Sequence, residues 1–138
     1  TMPDDVTRGL LTDIGTEELA HLEMVGTLVK QLNNGVAPEE WKKLGTWEYY
    51  SDNGASVYPQ SSQGSPFNAA SIAVTGDAIT NLFEDLAAEQ KARATYDNIL
   101  RLSDDPDVND VIRFLRQREV THFQRFGEAK RKDTSKMV

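Results

Sequence analysis

The sequence predicts an all-α protein whose 138 residues contain three long helices. Three stretches carry apolar residues at the three- and four-residue spacing of an amphipathic helix, and strong turn signals separate them. The chain has the length of one domain, so we expect a single domain over residues 1–138.

The first predicted helix begins after Pro3, because Asp4 and Asp5 favour the positive end of the helix dipole. Asn33, Asn34 and Gly35 are turn residues that predict its end. Its apolar face carries Leu10, Leu11, Ile14, Leu22, Val25, Leu28, Val29 and Leu32.

Residues 36–74 form a long irregular connection. Pro38, Glu39 and Glu40 open at most a short helix through Leu44, and the remainder is rich in glycine, serine, asparagine, proline and aromatic residues. Loops of this length inside compact domains are usually functional or packed over a neighbour. We expect this loop to cover the bundle or a partner subunit through Trp47, Tyr49, Tyr50, Tyr58 and Phe67.

Helical periodicity returns near Asp77 and ends around Ser103. Asp104, Asp105 and Pro106 predict a turn. A last helix follows from near Asp107 and loses its pattern in a charged C-terminal tail.

Composition excludes several classes of protein. No apolar run approaches the roughly 20 residues of a membrane span, so we expect no membrane partner. The net charge of −7 repels a phosphate backbone, so we expect no nucleic-acid partner. Cysteine is absent, which leaves carboxylates and imidazoles as the strong metal ligands of the chain.

Two Glu-x-x-His motifs lie on the faces that should be buried: Glu18 with His21, and Glu119 with His122. The spacing places each carboxylate one turn from its imidazole on the same side of a helix. Glu89 occupies the buried face of the helix between them. Burying unpaired carboxylates costs several kcal/mol each, and a divalent cation relieves that cost directly.

Bundles that hold two iron or two manganese ions combine two Glu-x-x-His helices with one glutamate from each of two further helices. Glu89 fits one of these single glutamates, and the chain offers no candidate for the other. We therefore expect a ferritin-like four-helix bundle in which the remaining helix precedes residue 1 or lies on a companion chain. Residue 1 is threonine, which also suggests an N-terminally truncated domain, although trimming of the start would explain it equally.

Other polar residues near the motifs allow two interpretations. Arg93 and Tyr96 follow Glu89 on the same helix face, so they either orient the metal ligands or form a packed ion pair and a hydrogen-bonded phenol. Four neighbouring acidic residues are interpreted as solvated: Glu17, Glu23, Glu84 and Asp85.

Two segments resemble the manganese catalase family, most strongly its short members from bacterial spore coats. They are LLTDIGTEELAHLEMVGTLV and NLFEDLAAEQKARATYDNILRLSDDPDVNDVIRFLRQREVTHFQRF, and the resemblance runs from about Leu10 to Ala129. It includes the loop element TGDAITNLFEDLAAE.

The resemblance implies a site with two manganese ions that disproportionates hydrogen peroxide to water and oxygen. It assigns the metal ligands to Glu18, His21, Glu89 and His122. The counterpart of Glu119 moves protons beside the metals in manganese catalases, whereas in ferritin-like iron proteins it is a ligand. The resemblance also implies a homo-oligomer located in the cytoplasm or in the spore coat.

Two alternatives remain open at this point. One is a non-catalytic spore-coat or assembly protein that keeps the bundle. The other is a di-iron ferroxidase-like protein, because oxygen and imidazole ligands suit iron as well as manganese.

Overall fold

The structure, a computed structural model, describes residues 2–43, 65–66, 68–72 and 75–135. Helix α1 spans Asp5–Leu32, α2 spans Pro38–Lys43, α3 spans Ala78–Leu102 and α4 spans Pro106–Thr134, with a 3-10 turn at Ala69–Ser71. The all-α class and the three long helices are thus confirmed. The aromatic residues predicted to cover the bundle lie outside the described residues: Trp47, Tyr49, Tyr50, Tyr58 and Phe67.

The ends of α1 follow from its local sequence. The Asp4 carboxylate accepts hydrogen bonds from the backbone N–H of Thr7 at 2.9 Å and from its hydroxyl at 3.0 Å. The bond from the Thr7 N–H satisfies one of the backbone donors that the first turn of a helix leaves unpaired. Gly35, three residues beyond the helix, has a φ of +81°, a conformation that glycine adopts without steric cost.

Helices α3 and α4 form an antiparallel hairpin, and an aspartate caps the N-terminus of each helix. Asp77 caps α3 by accepting a hydrogen bond from the Thr80 N–H at 2.7 Å. Asp105 caps α4 by accepting from the N–H groups of Asp107 at 2.9 Å and Val108 at 3.2 Å. Pro106 follows as the first residue of α4, where its missing N–H has no cost.

The described residues fall into two compact units, one containing residues 2–28 and 75–135 and the other residues 29–43, 65–66 and 68–72. The first unit holds most of α1 and all of α3 and α4. The second holds the end of α1, α2 and the 3-10 turn. A single domain over residues 1–138 stays a prediction. Among the helices that the structure describes, none is long and apolar enough to cross a membrane.

The apolar core of the first unit joins all three long helices. Ile14 of α1, Leu82 of α3 and Phe126 of α4 belong to one buried cluster with Met2 and Ala129. Partly buried side chains pack around it: Leu10, Leu11, Ala78 and Leu86. On α4, Ile112 and Leu115 are buried on the N-terminal side of Glu119, and Phe126 lies on its C-terminal side. The middle of the bundle is therefore left to polar residues.

We expect Leu115→Ala to lower the free energy of unfolding by about 2–5 kcal/mol, because Leu115 is fully buried and its truncation leaves a cavity. The matched control is Phe114→Ala on the same helix. Phe114 is 52% exposed, so its loss should cost well under half as much. Urea unfolding measures both values, and equal losses would contradict the orientation of α4 described above.

Candidate metal centre

The middle of the bundle buries ionisable side chains from all three long helices. Glu119 and His122 of α4 are 1% and 0% exposed, and Glu89 of α3 and His21 of α1 are also buried. Glu18 of α1 is less covered, with 43% of its side chain exposed. Among the described residues, half of the buried side chains are polar, and most of these polar side chains belong to this ionisable group.

These five side chains converge on one place. Glu18, Glu89, Glu119 and His122 each offer one ligand atom, and all four atoms lie within 4.8 Å of one another. His21 joins them: its Nδ1 lies 3.4 Å from a carboxylate oxygen of Glu18 and 3.4 Å from one of Glu119. The two imidazole rings stack with their centroids 5.5 Å apart. The structure thus brings together every residue of the two motifs and Glu89.

Several of the converging atoms lack a hydrogen-bond partner. Four of them are fully buried and have no hydrogen-bond partner among the described residues: Glu18 Oε1, His21 Nδ1, Glu119 Oε1 and His122 Nδ1. His122 Nδ1 lies 2.8 Å from Glu18 Oε1 without the alignment of a hydrogen bond, and 3.7 Å from Glu89 Oε2. Unpaired buried oxygens and imidazole nitrogens facing one point are the donor set of manganese or iron. The residues present therefore fit a divalent cation.

Burial and crowding change how two groups titrate. Burial raises the pKa of Glu89 above its ordinary value of 4.5, and the hydrogen bond with Glu119 and the charges of Glu119 and Glu18 raise it further. Burial, followed by the charges of Glu119, Glu18 and Glu89, raises the pKa of Tyr96 to about 12. Without a cation, Glu89 thus holds its proton more strongly than a solvated glutamate, and Tyr96 stays neutral near neutral pH.

Glu17, which was expected to be solvated, is partly exposed and is also paired with two residues of α4. Its two carboxylate oxygens accept hydrogen bonds from Arg118 at 2.9 Å each, and Oε2 also contacts Nε2 of His122. The bond from His122, and then that from Arg118, lowers the pKa of Glu17 to about 2. The sequence held one signal for this pair: Glu17 and Arg118 each directly precede the glutamate of a Glu-x-x-His motif.

Asp85 also departs from expectation, because it is half-buried instead of solvated. It shares a cavity of about 300 Å³ with Glu18, Glu89 and Glu119, among small and apolar residues of α1 and α3. Burial, and then the charge of Glu84, raises its pKa. The other two acidic residues of this group, Glu23 and Glu84, are exposed as expected.

Arg93 hydrogen-bonds along its own helix, donating to Gln90 Oε1 at 2.9 Å and to Asp97 Oδ2 at 2.7 Å. Arg116 of α4 binds the other oxygen of Asp97. This geometry matches the ion-pair alternative for Arg93. A role for Arg93 and Tyr96 in orienting the metal ligands stays a prediction.

Comparison with known proteins identifies the family of the chain. The family profile described as manganese containing catalase matches residues 1–137. The chain belongs to the manganese-containing catalase family. Protein CotJC of Bacillus subtilis strain 168 is 50% identical to it over 94% of this chain and 68% of that protein. A probable manganese catalase of Clostridium acetobutylicum is 35% identical over 91% of this chain and 56% of that protein.

A solved structure confirms the ferritin-like fold. The crystal structure of wild-type KatB, a manganese catalase from Anabaena, superimposes with a TM-score of 0.77 and 30% sequence identity. The match covers 93% of this chain and 57% of that one. The chain thus spans little more than half the length of the two manganese catalases, and their whole activity does not transfer to it by likeness alone.

We expect Glu89→Gln to reduce the pH dependence of stability in the cation-free protein. Because the pKa of Glu89 is higher in the folded state than its ordinary 4.5, both states bind the proton below that value and the full stabilisation is present. As the pH rises further, the unfolded state loses the proton first and stability falls. Glutamine keeps the shape of the protonated acid but cannot titrate.

Urea unfolding with a chelator present, at several values between about pH 5 and pH 9, measures this dependence. The exposed neighbour Glu84→Gln is the control and should keep the decline of the unaltered protein. An unchanged slope in Glu89→Gln would show that Glu89 is ionised throughout this range.

Proposed function

We propose that this protein is a dinuclear manganese catalase that disproportionates hydrogen peroxide to water and oxygen. Glu18, His21, Glu89 and His122 would hold the two ions. One observation carries the proposal: four buried ligand atoms without hydrogen-bond partners face one point inside a bundle of the manganese-catalase family. Iron is the alternative metal, because the donor set suits both.

A pair of manganese ions, when bound, supplies the two-electron oxidation and reduction that peroxide disproportionation requires. We assign proton transfer to Glu119, which is 1% exposed and has an unpartnered Oε1 directed at the other ligand atoms. This oxygen takes a proton from one peroxide oxygen and returns it as the O–O bond breaks. Exclusion of water keeps the proton at this carboxylate between the two steps.

Tyr96 and Arg93 would support this chemistry without touching peroxide. The hydroxyl of Tyr96 stays protonated because its pKa is about 12, so it is available to donate a hydrogen bond toward the carboxylates that raise that pKa. Arg93 would hold the neighbouring part of α3 through its ion pair with Asp97. Both residues are thus proposed to orient ligands.

The ligand set calls for one more glutamate, because bundles of this type bring four carboxylate-bearing helices together. The cavity of about 300 Å³ beside Glu18, Glu89 and Glu119 is lined by the small residues Gly15 and Ala88, which leave room for the glutamate side chain of a further helix. We propose that this helix comes from a companion segment, and that the working protein is a homo-oligomer. We propose the cytoplasm as its location, with the spore coat as the alternative.

A non-catalytic assembly protein, as in a spore coat, is the second candidate. The 50% identity to CotJC supports it, because that protein is not named as a catalase. A di-iron ferroxidase-like protein is the third candidate, supported by the shared ligand chemistry. The assembly protein and the ferroxidase-like protein are both compatible with the same metal-binding residues. Catalase activity therefore distinguishes the first candidate from these two.

We expect the manganese-loaded protein to evolve oxygen from hydrogen peroxide, and Glu119→Gln to lower kcat by about 10²–10⁴-fold while manganese content stays unchanged. The substitution keeps the shape of the side chain and removes its ability to carry a proton. An oxygen electrode and metal analysis measure the two quantities, with Glu128→Gln as the control outside the cluster. Rapid oxidation of ferrous iron without oxygen evolution would favour the ferroxidase, and neither activity the assembly protein.

We expect His21→Ala and His122→Ala each to lose one bound metal ion, because each removes a buried nitrogen that faces the carboxylates. Metal analysis after gel filtration measures the content of both variants, and circular dichroism checks that they remain helical. Unchanged metal content in both variants would defeat the assignment of these ligands.

A further inference from the structure

His122 uses its two ring nitrogens for different purposes. Nδ1 faces the cluster, 2.8 Å from Glu18 Oε1 and 3.7 Å from Glu89 Oε2. Nε2 points the other way and contacts Oε2 of Glu17. An ionised carboxylate only accepts hydrogen bonds, so the hydrogen between these two atoms belongs to the imidazole nitrogen. The neutral ring is then protonated at Nε2 and carries its lone pair on Nδ1.

Arg118 fixes Glu17 in the position that this bond requires. Its Nη2 donates to both oxygens of Glu17 at 2.9 Å. Arg118 and His122 are one turn apart on α4, so the two side chains hold the carboxylate of α1 between them. Arg118 thus orients Glu17, and Glu17 in turn orients His122.

The other neutral tautomer of His122, protonated at Nδ1, also has a carboxylate nearby that can accept its hydrogen. If Nδ1 carried the hydrogen, the Glu18 oxygen at 2.8 Å would be available to accept it after a small rotation of the ring. The hydrogen would then occupy the position of a metal bond. Without Glu17, the carboxylates of the cluster would therefore favour a tautomer that does not bind a cation.

We propose that Glu17 is a positioning residue that keeps the hydrogen of His122 on Nε2 and so presents the Nδ1 lone pair to the metal ions. The proposal extends the manganese site proposed above to a residue beside it. Its effect is local to one histidine: the Nδ1 of His21 also faces Glu18 and Glu119, but no carboxylate of the described residues binds its Nε2.

Nitrogen NMR of the ¹⁵N-histidine-labelled, metal-free chain tests the tautomer directly, since protonated and unprotonated ring nitrogens resonate far apart. The chain has only two histidines, and His21→Gln assigns the signals. Spectra are recorded at a pH at which neither ring carries two hydrogens, which the same spectra verify. We expect His122 to be protonated at Nε2 in the unaltered chain.

In Glu17→Ala we expect a substantial share of His122 to move to the Nδ1–H form, with no change at His21. Glu17→Met removes the acceptor but keeps the side-chain volume, and serves where the alanine variant does not fold. Glu17→Gln retains an acceptor oxygen and should restore the Nε2–H form. Glu23→Ala, an exposed acid on the same helix, is the matched control. An unaltered tautomer in both Glu17→Ala and Glu17→Met would overturn the proposal.

A second readout is manganese affinity, measured by calorimetry on the same variants. Loss of the partner of a ligating histidine typically weakens metal binding by about 10–100-fold, and we expect this loss in Glu17→Ala and a recovery in Glu17→Gln. Absence of manganese binding in the unaltered chain would refute the proposed function, whereas the tautomer measurement would still decide the role of Glu17. Equal affinity in all variants would overturn that role.

Discussion

The burial of Glu89 and Glu119 side by side is the constraint around which the bundle is arranged. Two carboxylates in a medium of low polarity repel each other and lose their hydration, and the raised pKa of Glu89 expresses that cost. The apolar layers lie to either side on α4, at Leu115 and Phe126, and leave the middle to the charged groups. A cation is the compensation that this geometry accommodates, because four buried ligand atoms of the cluster have no hydrogen-bond partner among the described residues.

The same polar groups set how α1 lies against α4. Asp13 pairs with Arg125 and Glu17 with Arg118, so two ion pairs link α1 to α4 at positions one turn apart on α1 and two turns apart on α4. A shift of one residue would turn each side chain by about 100° and separate both pairs together with the ligands. Exposed pairs contribute little energy individually. Here the two pairs fix the register of α1 against α4, because the same register brings the imidazole of His122 next to Glu17 and Glu18 of α1.

Local sequence determined the elements and much of the cluster. Helix ends depend on short-range bonds, such as those that Asp77 and Asp105 accept from the next turn, and residue types alone indicate them. The faces of the helices follow from a period of 3.6 residues, so Glu-x-x-His spacing places carboxylate and imidazole together independently of tertiary contacts. Cysteine is absent, which limited the ligands to oxygen and imidazole nitrogen.

Tertiary structure decided everything that depends on which helices are neighbours and how they are rotated. Glu17 and Asp85 lie at the margin of their apolar faces, where the pattern of one helix cannot separate a solvated acid from one covered by the next helix. Glu17 acquired its role only because Arg118 and His122 of α4 lie opposite it. Arg93 turned along its own helix toward Asp97, since Arg116 of α4 completes that pair. Side-chain direction at a helix margin is set by the partner surface, which spacing along one chain does not encode.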